Sequence, residues 1–242
     1  MRKGGTLIAF LGPVGVGKST VMQYLALLFK AKGRRVYLGT LKSFHSPAYM
    51  LWSLVAKLLR LRSKGKYAPW LILFKSGKVN TVKSLFTLSM YSDALFSIPI
   101  KLIGLRLLRR LSFVVLVEEH AYTAIIDYWY VAKQMLGMNS IPRIPQVIIL
   151  SLLNKYKPDV VIILVSDFKE LMKRWRERGY GEPQQRYLKL LVLYCLNLIK
   201  NPRKLIIDTT NLDTYETVKH IYRAILSLTN NSVDTLQGEH IL

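Results

Sequence analysis

Eight consecutive residues, Gly12-Pro13-Val14-Gly15-Val16-Gly17-Lys18-Ser19, carry the clearest chemistry in this chain. They match G-x-x-x-x-G-K-[ST], a loop whose glycines let successive backbone N–H groups curl around an anion. An apolar run, Thr6–Leu11, precedes the loop, and a helical stretch, Ser19–Lys32, follows it. The positive end of that helix adds to the same anion site. The polyphosphate of a nucleoside triphosphate is the ligand this context implies. Gly12, Pro13, Val14, Gly15, Val16, Gly17, Lys18, Ser19 and Thr20 are the expected binding residues. Lys18 is expected to reach the β- and γ-phosphates, and the Ser19 hydroxyl to join a Mg2+ shell. No Asn/Thr-Lys-x-Asp string for reading guanine is present, which favours ATP.

Such a loop needs a carboxylate from a neighbouring strand to orient the metal. The run Phe113–Val117 ends in Glu118-Glu119-His120, where ligands bind in open parallel sheets. Glu118 is the first candidate, Glu119 the second, and Asp167 the rival; the plainer alternative is acids that solvate a strand end. A third element is Lys173-Arg174-Trp175-Arg176-Glu177-Arg178, which leads into Gly179-Tyr180-Gly181. Arg174 and Arg178 share a helical face at i, i+4, and Arg176 points elsewhere. Guanidinium groups on a closing segment can neutralise a moving phosphoryl group and exclude water. The alternative is a solvated basic helix end, favoured by the helix dipole. Lys18, Glu118, Arg174, Arg176 and Arg178 form the candidate catalytic set.

The elements that must position these groups can be read from the apolar pattern. Five short runs read as buried parallel strands: Thr6–Leu11, Arg35–Gly39, Phe113–Glu118, Asp159–Val165 and Lys204–Asp208. Helical stretches at Ser19–Lys32, Lys169–Arg178 and Thr214–Leu228 separate them, which implies right-handed crossovers and a doubly wound sheet. About seventy residues part the second and third strands, too many for one crossover helix. Ala48–Leu61 reads as a helix, Trp70–Phe74 as a short apolar run, and Val79–Leu111 as mainly helical with a break near Pro99. The next connection, Ala121–Pro158, reads as a helix, Ala124–Leu136, and a loop around Pro142 and Pro145.

The chain has 242 residues, 51% hydrophobic, with a mean hydropathy of +0.21, which is ample for a sizeable core and excludes wholesale disorder. Its formal charge is +22, unevenly spread. Residues 1–117 hold 20 basic residues and one acid, Asp93, whereas residues 118–242 hold 16 basic and 13 acidic ones. A cationic half of this kind suits phosphates, nucleic acid or an anionic membrane surface. The single Cys195 excludes an internal disulfide framework and reads as a buried thiol. The four histidines lack metal-ligand spacing, so no zinc site is expected. Arg2 and Lys3 before an apolar stretch imitate a signal peptide, but the short run leads directly into the glycine loop and reads better as a first strand.

Taken together these residues resemble the thymidylate kinase group of P-loop nucleoside monophosphate kinases, over roughly residues 5–40 and 113–228. The order matches: Lys18-Ser19-Thr20, a helix to Gly33, a second strand, a strand ending in Glu118-Glu119, then Pro158-Asp159 leading Val160–Leu164. The arginine segment, a helix over Tyr187–Leu198, and Leu205-Ile206-Ile207-Asp208-Thr209-Thr210 follow. The resemblance implies an α/β, three-layer P-loop kinase fold with a five-stranded parallel sheet. An enlarged helical insertion, about 43–112, would lie between strands two and three of a single domain, 1–229, with a loose polar tail at 230–242. It implies ATP and Mg2+, metal contacts from Ser19, Glu118 and Glu119, and adenine contacts in the loop Thr209–Asn211, with Thr209 and Asn211 as binding candidates. The acceptor side departs from the family. Its P-loop aspartate is Val14 here, its Arg-Glu-Pro is Thr40-Leu41-Lys42, and its Asp-Arg is Glu118-Glu119.

The resulting expectation is an ATP-dependent phosphotransferase acting on a nucleotide acceptor. The alternatives are a kinase of a non-nucleotide or lipid-linked acceptor at a membrane surface, and a P-loop ATP-binding protein acting on nucleic acid. Lys57, Arg60, Arg62, Lys64 and Lys66, and the segment Ala94–Leu111 with Lys101, Arg106, Arg109 and Arg110, set the insertion apart. The latter segment resembles a membrane-surface helix. Lys42, Lys57 and Arg60 are alternative partners for acceptor phosphate, and a helical insertion with a solvated basic face is the plainest alternative. A cytoplasmic protein, peripheral at a membrane, and a homodimer are the corresponding readings of place and assembly.

Overall fold

The computed structural model describes residues 4–44, 47–61, 73–74, 76–177, 185–197, 199, 201 and 203–230. Five strands form one parallel sheet: β1 (Thr6–Leu11), β2 (Val36–Thr40), β3 (Val114–Glu118), β4 (Val160–Val165) and β5 (Lys204–Asp208), in the order β2-β3-β1-β4-β5. The central position of β1 follows from its side chains. Ile8, Ala9, Phe10 and Leu11 are wholly buried, so both faces of the strand are covered, which only an interior parallel strand allows. Phe10 is in register with Glu118 on one side and Ile162 on the other, so the β1 end, the β3 end and the glycine loop share one sheet edge. β2 is an edge strand, and its Tyr37 and Leu38 are exposed.

The expected α/β architecture is therefore the observed one, and each of the five expected strands lies within a residue of its predicted bounds. Helix α1 (Lys18–Ala31) buries Val21, Met22, Leu25, Ala26 and Phe29, a single stripe at helical spacing, into the core that β1, β3 and β4 share. The described residues form two compact units. The first takes those within Met1–Leu41, Gly104–His120 and Lys157–Leu242; the second those within Lys42–Ile103 and Ala121–Tyr156.

The second unit is helical. It holds α2 (Pro47–Leu58), α3 (Val79–Ser92), the first residues of α4 (Ile98–Arg110), α5 (Ala121–Tyr130) and α6 (Arg143–Lys155). Its centre is aromatic: Phe44 lies 4.6 Å from Tyr128 and 6.1 Å from Phe86, and Phe86 lies 5.6 Å from Tyr128, ring centre to ring centre. Offset and edge-on contacts of this kind add to the area the rings bury.

Three segments differ from their sequence expectation. Val79–Leu111 does not break near Pro99; the chain stays helical from Val79 to Arg110. A π-helical turn, Asp93–Ser97, precedes Pro99. Proline cannot donate to the carbonyl a turn earlier, and the wider turn re-pairs the carbonyls around that missing donor. The loop expected around Pro142 and Pro145 ends at Pro142. Pro142 flanks α6 and Pro145 lies in its first turn, where the backbone N–H has no partner to lose. The helix expected over Ala124–Leu136 starts at Ala121 and ends in a second π-helical turn, Val131–Met135. The run Trp70–Phe74 and the tail after Asn230 lie largely or wholly outside the described residues.

Candidate active site

The glycine loop leaves β1 through a position that admits only glycine. Gly12 has φ +129°, and a Cβ there would lie 2.1 Å from the Leu164 carbonyl oxygen of β4. The loop's inner side is anchored by Val16, 1% exposed within the sheet core. Gly17, at φ +92°, then turns the chain into α1, so that Lys18 and Ser19 open the helix. Helix α1 begins without a side-chain cap. Its first N–H groups therefore face the loop, the arrangement that receives an anion.

Lys18 is 4% exposed, and its ammonium donates to the carbonyls of Gly12 at 2.7 Å and Pro13 at 3.0 Å. Two carboxylates face it from the end of β3: Glu118 Oε1 and Glu119 Oε1 each lie 3.8 Å from Lys18 Nζ. Ser19 Oγ donates to Glu118 Oε2 at 2.8 Å. The β1–β3 register makes this meeting possible. Glu118 pairs with Phe10 two residues before the loop, and the Glu119 N–H donates to the Phe10 carbonyl at 3.0 Å. Glu119 takes a left-handed backbone, φ +54°, and so turns the chain at the sheet edge. Ser19 and Glu118 present oxygen donors alone, the set that a hard cation such as Mg2+ prefers. The rival, Asp167, is placed differently: its Oδ1 accepts the Phe168 N–H at the start of α7 (Phe168–Glu177).

The second wall of the site is the loop after β5. Thr209 is 4% exposed, and its N–H donates to the Val165 carbonyl at 2.8 Å. Its hydroxyl lies 3.0 Å from the Val165 carbonyl and 3.4 Å from that of Val16. Thr209 thus ties the β5 loop to the glycine loop. Asn211 lies exposed two residues on.

Arg174, in α7, reaches the same residue. It donates to the Thr209 carbonyl at 2.9 Å and the Thr209 hydroxyl at 3.3 Å, and pairs with Glu170 at 3.0 Å. Its guanidinium links α7 to the β5 loop, a tie that the sequence did not disclose because Thr209 lies 35 residues away. Arg176 is exposed on α7, and Arg178 lies outside the described residues. Pro13, Val14 and Thr20 complete the loop region; Pro13 is buried, and Val14 and Thr20 are half-buried. His120 is wholly buried, and burial pushes its imidazole down to about 4, so the ring is neutral near pH 7.

Comparison with known proteins adds one finding. No protein-family model matches the chain, and no relative was found among curated proteins. A solved thymidylate kinase from Candida albicans superposes with a TM-score of 0.56 at 17% identity, covering 97% of each chain. The chain thus shares the fold of that thymidylate kinase over nearly its whole length.

Proposed function

We propose that this chain is an ATP-dependent phosphotransferase that moves the γ-phosphoryl group of ATP to a nucleotide acceptor. The observation that carries the reading is the meeting of Lys18, Ser19 and Glu118 at the shared end of β1 and β3. A lysine and a hydroxyl at a helix N-terminus, facing a strand-end carboxylate, are the parts that hold a triphosphate and its metal.

In this reading the loop amides and Lys18 hold the donor phosphates, and Ser19 and Glu118 hold Mg2+. The bound metal supplies charge neutralisation on the phosphate oxygens. Glu119 sets the local charge around Lys18. The Thr209–Asn211 loop borders the adenine, and Arg174 fixes that border by holding Thr209. Arg176, exposed on α7, is the arginine this reading assigns to closing over the transferring group. An oxygen of the acceptor phosphate, which carries no proton near pH 7, forms the new bond to the γ-phosphorus as the bond to the ADP oxygen breaks, and ADP leaves. Positioning and charge supply most of the rate.

A second reading keeps the donor half and changes the acceptor. Val14, Thr40-Leu41-Lys42 and Glu119 stand where thymidylate kinases carry acceptor-binding residues, which favours a non-nucleotide or lipid-linked acceptor. One screen tests both readings: ADP release from ATP and Mg2+ in the presence of nucleosides, nucleoside monophosphates and polyprenols. Stimulation by a monophosphate, lost in Lys18→Ala, supports the first. Stimulation by a polyprenol alone replaces it with the second. If no compound stimulates ADP release, the phosphotransfer reading fails.

A further inference from the structure

The helix that runs from Val79 to Arg110 is long and apolar enough to cross a membrane by length and composition. Its inner side excludes that use. Phe86, Met90, Ala94, Ile98 and Leu102 are each at most 1% exposed within the protein, so this side is already covered. The opposite side is not covered. Phe96, Ile100, Ile103, Leu107 and Leu111 are each 49–66% exposed. From Phe96 onward their spacing of three or four residues places them on one continuous stripe. Arg106 and Arg110, also exposed and four residues apart, run along one border of that stripe. An exposed apolar patch of this kind marks an interaction surface.

Charge identifies the partner. The only acid in residues 1–117 is Asp93, and it is wholly buried. The helix therefore shows no negative charge to a partner. A symmetric pair of copies through this face would set its arginines among like charges with no acid from the same helix to answer them. A nucleic acid would answer the arginines but not five large apolar side chains. A surface of anionic headgroups over acyl chains answers both. We propose that the exposed face of α4, with its flanking residues Phe96 and Leu111, lies flat on an anionic phospholipid bilayer. The five apolar side chains enter the headgroup–acyl boundary, and Arg106 and Arg110 engage lipid phosphates. Arg109, 2.6 Å from Asp159, is held back on the protein side.

The test is flotation of the full chain, without nucleotide, on vesicles of phosphatidylglycerol and phosphatidylcholine and on vesicles of phosphatidylcholine alone. The wild type is expected to bind the anionic vesicles at least about tenfold more tightly, with the preference fading as salt rises. Ile100→Ser with Leu107→Ser, and separately Arg106→Glu with Arg110→Glu, are each expected to cut that binding at least about tenfold. The arginine pair lies on the surface, and an unchanged thermal transition certifies its fold if the first pair melts early. Absence of vesicle binding by the wild type, or binding that neither pair alters, overturns the proposal. So does a wild-type dimer in sedimentation equilibrium that Ile100→Ser with Leu107→Ser dissociates, because the face then belongs to a second copy. Binding of RNA in preference to vesicles overturns it as well.

Discussion

Glu118, in the sheet unit, and Asp93, in the helical unit, are both acids set among apolar neighbours, and their surroundings differ in kind. Glu118 closes a strand at the sheet edge, keeps part of its side chain in solvent, and faces Lys18 at 3.8 Å and the Ser19 hydroxyl at 2.8 Å. Asp93 is wholly buried in a π-helical turn. Its Oδ2 accepts the Phe44 N–H at 2.8 Å and the Tyr128 hydroxyl at 2.5 Å. Burial raises its carboxyl above the usual carboxylate range, and those hydrogen bonds and Lys101 offset only part of the rise. The Tyr128 hydroxyl is in turn pushed well above its ordinary value, first by burial and then by the Asp93 charge. The acid proposed to serve a ligand stands at a sheet edge beside a cation. An acid that serves the fold is closed off and paired with donors.

This contrast can be broken at several points. The largest effect is expected from Lys18→Ala, which removes the cation that Glu118 and Glu119 face. ATP turnover should fall at least about 10³-fold with the fold intact, measured by ADP release and circular dichroism. Glu118→Gln keeps the shape and removes the charge. Turnover should fall about 10²-fold, with more Mg2+ needed for half-maximal rate, and Glu119→Gln should fall less. Equal losses at both positions would sink the assignment of the metal to Glu118.

Smaller effects separate the two arginines of α7. Arg174→Ala frees Thr209, so KM for ATP should rise about tenfold with kcat nearly kept. Arg176→Ala should lower kcat by a similar factor and leave KM alone. A kcat loss in Arg174→Ala with unchanged KM would make it a phosphate-binding group instead.

The smallest effect sharpens the other side of the contrast. Asp93→Asn keeps an oxygen acceptor for Phe44 and Tyr128 and removes the buried charge. Because the folded pKa of Asp93 is raised, the folded state holds its proton more tightly than the unfolded chain does. Its contribution to stability is therefore lost as pH rises through the folded pKa. The variant should melt about 2–4 °C above the wild type at pH 8, as a difference of about 1 kcal/mol gives for a chain of this size. That gap should close as pH falls, followed by thermal melts across pH. A gap that widens on acidification would show that the carboxylate is stabilising in its charged form.

The glycine-loop part of the candidate site was legible because its information is local. The glycine loop, Lys18 and Ser19 are consecutive, and the strand before them and helix after them are periodic enough to read. The helical unit was less legible. Pro99 and Pro145 read as breaks because a proline's cost depends on whether its missing N–H had a partner. A π-helical turn before Pro99 and the first-turn position of Pro145 decide that question. Asp93 stood out as the only acid of its half, but nothing near it in the chain named Phe44 or Tyr128 as its donors, 49 and 35 residues away.

What the sequence determined by itself is the set of short-range features: a glycine loop between strand and helix, five strands, a cationic half with one acid, and a helix with an apolar and basic composition. Each follows from residue type and spacing within a few turns of chain. What the tertiary structure decided is which distant groups meet and which sides are covered. Glu118 reaches Ser19 across 99 residues because β1 and β3 pair in register, and Arg174 is drawn to Thr209 rather than left to solvent. The long helix buries one side and bares the other because burial is settled by packing between elements, which composition along one element does not encode.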